Sequence, residues 1–327
     1  ELDWDFHWAD REWVYDVFDN IHLDHWQRVN HFRNGRELCR KDLLIKNVKR
    51  MKKQLERDGK CVPSREDTPG CCAARYDLCP VTYTLPGEYS LFVEEFKRNP
   101  GAVWIMKPIG KAQGKGIFLL NKLSQIAQWK TEYRWKPDNP SVESYVVQRY
   151  IANPYLVGGK KFDMRMYALV TSFQPLTVYI YRSGFARFSA TRYSNSPADI
   201  MNTFMHLTNV AIQKTSDQYN ADTGGKWDLR LMKIYLMSKF GQRAVDNLFQ
   251  EMEGIMLRSL LAVQKIMIND KHCFELYGFD LMFDDELRPW LIEVNASPSL
   301  SANTREDYDL KFKLLNDVLD IIDLEGR

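Results

Sequence analysis

The stretch Tyr277-Gly-Phe-Asp280-Leu-Met-Phe-Asp284-Asp285-Glu286-Leu-Arg-Pro-Trp290-Leu-Ile-Glu293-Val-Asn295 alternates apolar and polar side chains on both sides of a charged centre. That is the pattern of two strands joined by a tight turn. With Asp285 and Glu286 as the turn, Phe279 is expected opposite Ile292 and Asp280 opposite Leu291. The pleat then puts Phe279, Leu281, Phe283, Trp290, Ile292 and Val294 on one face as an apolar slab for a core, and gathers Asp280, Glu293 and Asn295 on the other. Two carboxylates and an amide oxygen suit a hard cation such as Mg²⁺, which keeps its remaining positions for water and phosphate oxygens. An ordinary hairpin with solvent-facing charges gives the same alternation, so the rest of the chain has to decide between the two.

Working outward, Met166 to Val170 and Thr177 to Tyr181 read as an antiparallel pair around Gln174-Pro175, and Leu229 to Met267 as helical. Leu310, Leu314, Leu315, Val318, Ile321 and Ile322 form a wide apolar stripe, so the C-terminal helix is expected to pack on the sheet. Upstream, Val103 to Met106, Ile117 to Leu120 and Tyr145 to Ile151 read as strands, and Leu91 to Lys97 as a short helix. Residues 58 to 79 and 135 to 144 read as loops. A helix is expected from Arg36 to Asp58, with Leu44, Val48, Met51 and Leu55 on its apolar face. Helices and antiparallel strands in this order predict an α+β fold rather than a parallel βαβ array. The organisation divides into an N-terminal unit at 1–83 with the basic helix, a central unit at 84–152 and a C-terminal unit at 153–327 carrying the metal residues.

Composition narrows the classes. A chain of 327 residues, 45% apolar and 27% charged, can bury a sizeable core shared by two or three units. Its net charge is only +2, yet Arg36 to Arg57 holds nine basic residues against three acidic ones. A local basic stripe on a nearly neutral protein favours an acidic partner met on one surface over nucleic acid. No apolar run of membrane-spanning length and no signal peptide is present. Six cysteines form no Cys-x-x-Cys pair, which favours reduced thiols over a zinc site.

Three further motifs carry chemistry. Gly110-Lys-Ala-Gln113-Gly114-Lys-Gly116 lies between two predicted strands, where small residues let backbone N–H groups approach phosphate oxygens. It is not a P-loop, since three residues rather than four precede the Gly-Lys pair and no Ser or Thr follows. Lys107 ends the strand before it and is a candidate phosphate ligand. On an extended segment Lys161, Asp163 and Arg165 share a face, where two cations can clasp phosphate and the carboxylate can accept from a ribose or an ammonium. Met205-His206-Leu-Thr208-Asn209 is a polar cluster in which His206 reads as a structural histidine, and Arg187 alone reads as a surface arginine. No nucleophile elbow and no kinase signature occurs, so the kit is one for nucleotide and metal without a covalent nucleophile.

Taken together, Trp104 to Phe118, Gln148 to Ile151, Gly158 to Tyr167, His206 to Lys214 and Tyr277 to Leu300 closely resemble the tubulin-tyrosine-ligase-like family. Asn153-Pro-Tyr-Leu156, Tyr181 to Phe188 and Glu306 to Lys311 resemble its ciliary polyglutamylase branch. The resemblance implies an ATP-grasp fold whose first domain is only partly represented. It implies ATP bound by Lys107, Gln113, Gly114, Gln148, Arg149, Tyr150, Ile151, Lys161, Asp163, Thr208 and Asn209, with Arg165 meeting the γ-phosphate. Mg²⁺ would be held by Asp280, Glu293 and Asn295, and Arg187, Lys226 and Lys311 would bind carboxylates of an amino-acid donor. Arg165, Lys161 and Glu293 would carry the catalysis.

The implied activity is ATP-dependent addition of free L-glutamate to glutamate side chains of tubulin tails through an acylphosphate. The implied setting is cytoplasmic, at microtubules of the cytoskeleton, cilium or flagellum, with accessory subunits in some members. Glycine or tyrosine ligation, a catalytically silent microtubule-binding role and a small-molecule carboxylate-amine ligase are the alternatives.

Overall fold

Alternation on one long strand organises the molecule. A computed structural model describes residues 3–58, 74–126, 144–219, 225–302 and 304–324. Its strands are β1 (Phe6–His7), β2 (Arg28–Val29), β3 (Thr82–Leu85), β4 (Trp104–Pro108), β5 (Phe118–Leu120) and β6 (Tyr145–Arg149). They continue with β7 (Leu156–Val157), β8 (Lys160–Phe173), β9 (Leu176–Phe188), β10 (Lys226–Asp228), β11 (Glu275–Phe283) and β12 (Pro289–Asn295). The expected α+β class is what forms. One antiparallel sheet runs β10-β9-β8-β11-β12 with β7 on the edge of β8, and a second runs β3-β6-β4-β5. β1 and β2 make a separate parallel pair.

In β8, Phe162, Met164, Met166, Ala168 and Val170 enter the large core beneath helices Leu229–Phe240 and Gln242–Gln264. The intervening residues face the other way. Tyr167 and Leu169 pack with Leu314 and Val318 of the C-terminal helix Arg305–Ile322, which Thr304 starts by accepting from the Asp307 amide. Lys161, Asp163 and Arg165 continue that same face beyond the helix. Burial on both faces hides the ends of β8 from an alternation reading, so β8 runs longer than the expected Met166–Val170 segment, and β9, paired along it, runs longer than Thr177–Tyr181. Their turn is the expected Gln174-Pro175.

The hairpin forms with a different register. Asp285 and Glu286 turn, but Leu287 adds a third loop residue with φ +62°, so Asp284 and Arg288 close the loop and Phe283 pairs with Pro289. That one-residue shift reverses the faces next to the turn. Leu291 is fully buried with Leu281, whereas Trp290 pairs with Met282 and sends its Nε1–H to Asp284 Oδ2 at 3.0 Å. Trp290 is therefore not part of the slab. Between Asp280 and Leu281 the register shifts again; Ile292 has no cross-strand partner there and lines the cleft instead of the core. The second shift restores the original parity. Asp280 pairs with Glu293 instead of Leu291, Phe279 with Val294 instead of Ile292, and Gly278 with Asn295, which leaves the three oxygen-bearing side chains on one face.

Other differences are local. The expected helix from Arg36 to Asp58 breaks at Arg40, whose ψ of 124° is extended, giving Arg36–Cys39 and Lys41–Arg57. The helical stretch from Leu229 breaks at Gly241, at φ +78°. β3 starts at Thr82, so the second sheet begins before residue 84. The N-terminal region does not build a core of its own: Phe32, Leu38, Leu44 and Val48 join the large core with Met252 and Ile255. Most of the 58–79 and 135–144 segments lies outside the described residues, as do Cys61, Cys71 and Cys72. Cys39, Cys79 and Cys273 are free thiols. No described helix is long and apolar enough to cross a membrane.

Candidate active site

The two sheets face each other across a cleft of about 760 Å³. Its floor is a ladder of charges laid across four neighbouring strands. Arg187 of β9 donates from Nε to Asp163 Oδ1 of β8 at 2.9 Å, and its Nη2 contacts the second oxygen. Arg165 of β8 donates to Asp280 of β11 at 2.5 and 3.1 Å, and Arg187 reaches the same carboxylate at 2.8 Å. Asp280 then meets Glu293 of β12 across the register. All four of Asp163, Arg165, Arg187 and Asp280 are buried. Gly278 makes room for this arrangement, because a Cβ there would lie 3.2 Å from Arg165 Cδ and 2.9 Å from Pro298 Cβ.

The ladder is unbalanced at one end. Burial alone would raise the Asp280 carboxyl, but Arg165 and Arg187 outweigh it and hold it below the usual carboxylate range. Glu293 lacks such a partner. Burial and the Asp280 charge beside it push its carboxyl up, against a weaker opposing pull from Lys41. Asn295 Nδ2 lies 3.4 Å from Asp280 Oδ2. Among the described residues no group of three or more His, Cys, Asp or Glu side chains forms a metal site. The candidate ligand set is therefore two carboxylates and an amide. Adjacent, desolvated carboxylates of which one lacks a cationic partner fit a hard divalent cation.

Two buried lysines point into the cleft, Lys107 from β4 on the opposite wall and Lys161 from β8 on the same face as Asp163. β4 alternates, sending Trp104 and Met106 into the core of the second sheet and Ile105 and Lys107 into the cleft. Lys107 Nζ donates to Gln148 Oε1 at 2.8 Å, and Gln148 Nε2 donates to Thr82 Oγ1 at 2.8 Å, so the amide is fixed from behind. Lys161 Nζ donates to the Tyr150 hydroxyl at 2.8 Å and to the His206 carbonyl at 3.0 Å. Burial lowers Lys107 to about 8; burial and the nearby Lys107 charge lower Lys161 to about 7. Glu293 opposes the lowering at Lys107 and Asp163 that at Lys161, and burial outweighs both.

Gln113 and Gly114 form the lip, both at positive φ. Gly114 is confined, since a Cβ would fall 2.5 Å from Ile212 Cδ1 and 3.0 Å from Asn209 Oδ1. Lys107, Gln113, Gly114, Gln148, Arg149, Tyr150, Ile151, Lys161, Asp163, Thr208, Asn209, Asp280 and Glu293 all line this one cleft. Arg165, Arg187 and Asn295 do not; they stand against Asp280 as its partners. Arg187 is accordingly buried, not a surface arginine. Lys226, paired in register with Arg187, and Lys311 converge instead on Asp307, at 2.8 and 3.1 Å.

Asp307 escaped the sequence reading, although its spacing four residues before Lys311 is a helical ion-pair signal. Lys41 also lines the cleft, as do the apolar Ile105, Leu207, Met282 and Ile292. Nothing in their local spacing marks them. His206, read as structural, lines the cleft and takes part in holding Lys161.

Comparison with known proteins gives the chain's family. Residues 20–326 match the model of the tubulin-tyrosine ligase family. The chain is 47% identical to the probable tubulin polyglutamylase TTLL9 of Rattus norvegicus, over 100% of its own length and 75% of the relative's. It is 47% identical to the probable alpha-tubulin polyglutamylase Ttll1 of Tetrahymena thermophila over 98% of its length and 78% of the relative's. To the tubulin polyglutamylase TTLL5 of Homo sapiens it is 35% identical, over 92% of this chain and 22% of that one. With the match running through both sheets and every element that lines the cleft, the chain belongs to the tubulin-tyrosine ligase family.

Proposed function

We propose that this protein is an ATP-dependent ligase of the ATP-grasp type that adds glutamate, through an isopeptide bond, to glutamate side chains in the acidic tails of tubulin. The observation that carries this reading is the cleft itself. Two desolvated lysines, one from each sheet, and two adjacent carboxylates line one space together with apolar side chains that suit a flat base. The relatives named as tubulin polyglutamylases supply the acceptor and the donor, and tubulin as acceptor sets the activity at the cytoskeleton.

In this reading Lys107 and Lys161 hold phosphate oxygens, Gln113 and Gly114 close over them, and Asp280, Glu293 and Asn295 hold Mg²⁺. MgATP held there would supply a phosphoryl group to the acceptor carboxylate, releasing ADP; the amine of free glutamate would then attack the acyl carbon, lose a proton and expel phosphate to leave the amide. Arg165 and Arg187 keep Asp280 ionised and oriented. Lys226 and Lys311 offer cations for the donor's carboxylates at a point next to Arg187. Positioning and fixed charge supply the acceleration, so no protein nucleophile is needed. The deciding experiment is mass spectrometry of microtubules incubated with the protein, ATP and labelled glutamate, glycine or tyrosine. Glutamate branches are expected; addition of glycine or tyrosine alone, or of nothing while microtubules are bound, rejects the reading.

The lysines give a pH prediction. Phosphate drives both to the charged form, so nucleotide binding should take up protons at pH 7.5, on the order of one per site. Calorimetry in two buffers of different ionisation enthalpy reads this directly, and affinity should weaken as pH rises from 7 to 9. Stability without nucleotide runs the other way. Both lysines titrate below their unfolded value of about 10.4, so the unfolded chain binds more protons and stability rises from pH 7 to about 8.5. Above that, the thiols of Cys39, Cys79 and Cys273, all pushed up by desolvation, oppose the gain. Affinity and stability rising together across this window would refute the assignment.

A groove of about 1640 Å³ along helix Lys41–Arg57 is the proposed approach for the tail. Lys46, Arg50, Lys53 and Arg57 repeat at intervals of four, three and four residues, all exposed, and the helix begins at Lys41 inside the cleft. Reversing Lys46, Lys53 and Arg57 to Glu should raise KM for microtubules on the order of tenfold at low salt and leave KM for ATP unchanged. The difference from wild type should shrink at 0.3 M salt. A change in kcat with microtubule KM unmoved would remove the groove from the tail's path.

A further inference from the structure

Lys161 is held by a directional chain of hydrogen bonds that ends on a backbone carbonyl. His206 Nε2 lies 3.0 Å from the Asp199 carbonyl oxygen, and a carbonyl only accepts, so Nε2 carries the proton. In a neutral ring Nδ1 is then an acceptor. While the neighbouring Tyr193 hydroxyl gives its own proton to the Ala152 carbonyl at 2.8 Å, the Tyr150 hydroxyl sits 2.9 Å from that nitrogen and donates to it. With its proton committed there, the phenol oxygen presents lone pairs to Lys161 Nζ, 2.8 Å away. The main chain supplies the second acceptor, the His206 carbonyl, at 3.0 Å.

We propose that His206 is a positioning residue, which fixes the Tyr150 hydroxyl as an acceptor and so holds the Lys161 ammonium in place at the cleft. The inference rests on reading the cleft as a nucleotide site, and it adds a residue that touches Lys161 only through Tyr150 and its own carbonyl. The surroundings suit the role. Burial lowers the His206 ring below its ordinary value, which keeps it neutral at pH 7 and Nδ1 free to accept; Lys161 adds to that lowering, and Asp199 opposes it. The rings of Tyr150 and Tyr193 stand edge-on to the imidazole, at centroid distances of 5.6 and 5.7 Å. A protonated His206 would point a proton at the phenol oxygen, and the hydroxyl would have to turn away.

The test reads Lys161 itself, without nucleotide. In protein carrying ¹³Cε-labelled lysine, the Lys161 resonance is assigned by its loss in Lys161→Arg and titrated by NMR. Lys107 and Asp163 are the charged groups that act on Lys161 and are left intact in every variant. Tyr150→Phe removes only the hydroxyl and should move the Lys161 titration to lower pH by about one unit, because the ammonium loses an acceptor. His206→Leu should do the same, and the double variant should move it no further, since both substitutions break one chain. His206→Asn keeps an acceptor near the Nδ1 position and should restore most of the wild-type titration.

In parallel, MgADP affinity at pH 7.5 should fall about tenfold in Tyr150→Phe and His206→Leu, with less than a threefold loss in His206→Asn. If His206→Leu does not fold, Tyr150→Phe and His206→Asn still decide the matter. A Lys161 titration that is unmoved in Tyr150→Phe, or as displaced in His206→Asn as in the Phe variant, overturns the proposal. If the NMR pattern appears while wild-type protein binds no MgADP, the positioning role stands and the nucleotide reading of the cleft is what falls.

Discussion

Glu293→Gln is expected to reduce ATP-dependent glutamate incorporation on the order of 10³-fold while leaving the melting temperature of the nucleotide-free protein unchanged or higher. The loss follows from removing a charged ligand of the proposed cation, whose stabilisation of developing charge amounts to several kcal/mol. The retained stability follows from the ladder. Glu293 sits at its end, opposite Asp280, without the arginine partners that Asp280 has. Removing its charge relieves the repulsion from Asp280 and gives up the weaker attractions to Lys41 and Lys107, neither of which is bonded to it. Asp280→Asn is the informative contrast, because it leaves Arg165 and Arg187 short of a buried counter-charge and should cost about 3–5 kcal/mol of stability as well as activity. Incorporation is read by mass spectrometry of microtubules and stability by thermal melts in chelator. Equal incorporation by Glu293→Gln and wild type, or a loss of stability matching that of Asp280→Asn, would remove Glu293 from the role.

The hairpin that carries these two residues shows what local pattern can and cannot give. Period-two alternation is enough to put Asp280, Glu293 and Asn295 on one face, and they share it. Their pairing is not legible. The loop holds an extra residue, Leu287, in a left-handed conformation that sequence rules reserve for Gly or Asn, and the bulge beside Ile292 has no marker at all. Each shift turns one part of the strand over. Because there are two, the site keeps its parity while Trp290 and Leu291 exchange faces. Alternation on β8 likewise gives Lys161, Asp163 and Arg165 a common face, but their partners Arg187 and Asp280 come from strands whose register is set by distant turns. Lys41 and Asp307 are further still from any local signal. The first is brought to the cleft by the break at Arg40, and the second by the packing of the C-terminal helix on Tyr167 and Leu169.

Arg187 separates two ways of using a cation. The family resemblance gives it to the carboxylate of an amino-acid donor; the fold gives it Asp163 and Asp280, and it is 8% exposed. Arg187→Met keeps much of the apolar stem and removes the guanidinium, leaving Asp280 with Arg165 alone and Asp163 with no bonded cation, only the charge of Lys161 nearby. If the ion pairs hold the floor together, unfolding in urea should show a loss of about 3–5 kcal/mol, the cost of stranding a buried charge. The loss should shrink by more than half in Arg187→Met/Asp163→Asn, where one of the stranded charges is also removed. A residue kept free for the donor would behave differently, with KM for glutamate rising and stability within about 0.5 kcal/mol of wild type. The geometry favours the first outcome, since bonds to two carboxylates occupy the guanidinium before any donor arrives. Donor binding at this point would then have to draw Arg187 away from Asp163, and KM for glutamate would fall in Asp163→Asn, which gives up that competitor. An unchanged KM in Asp163→Asn, together with full stability of Arg187→Met, would show that the ladder does not restrain this arginine.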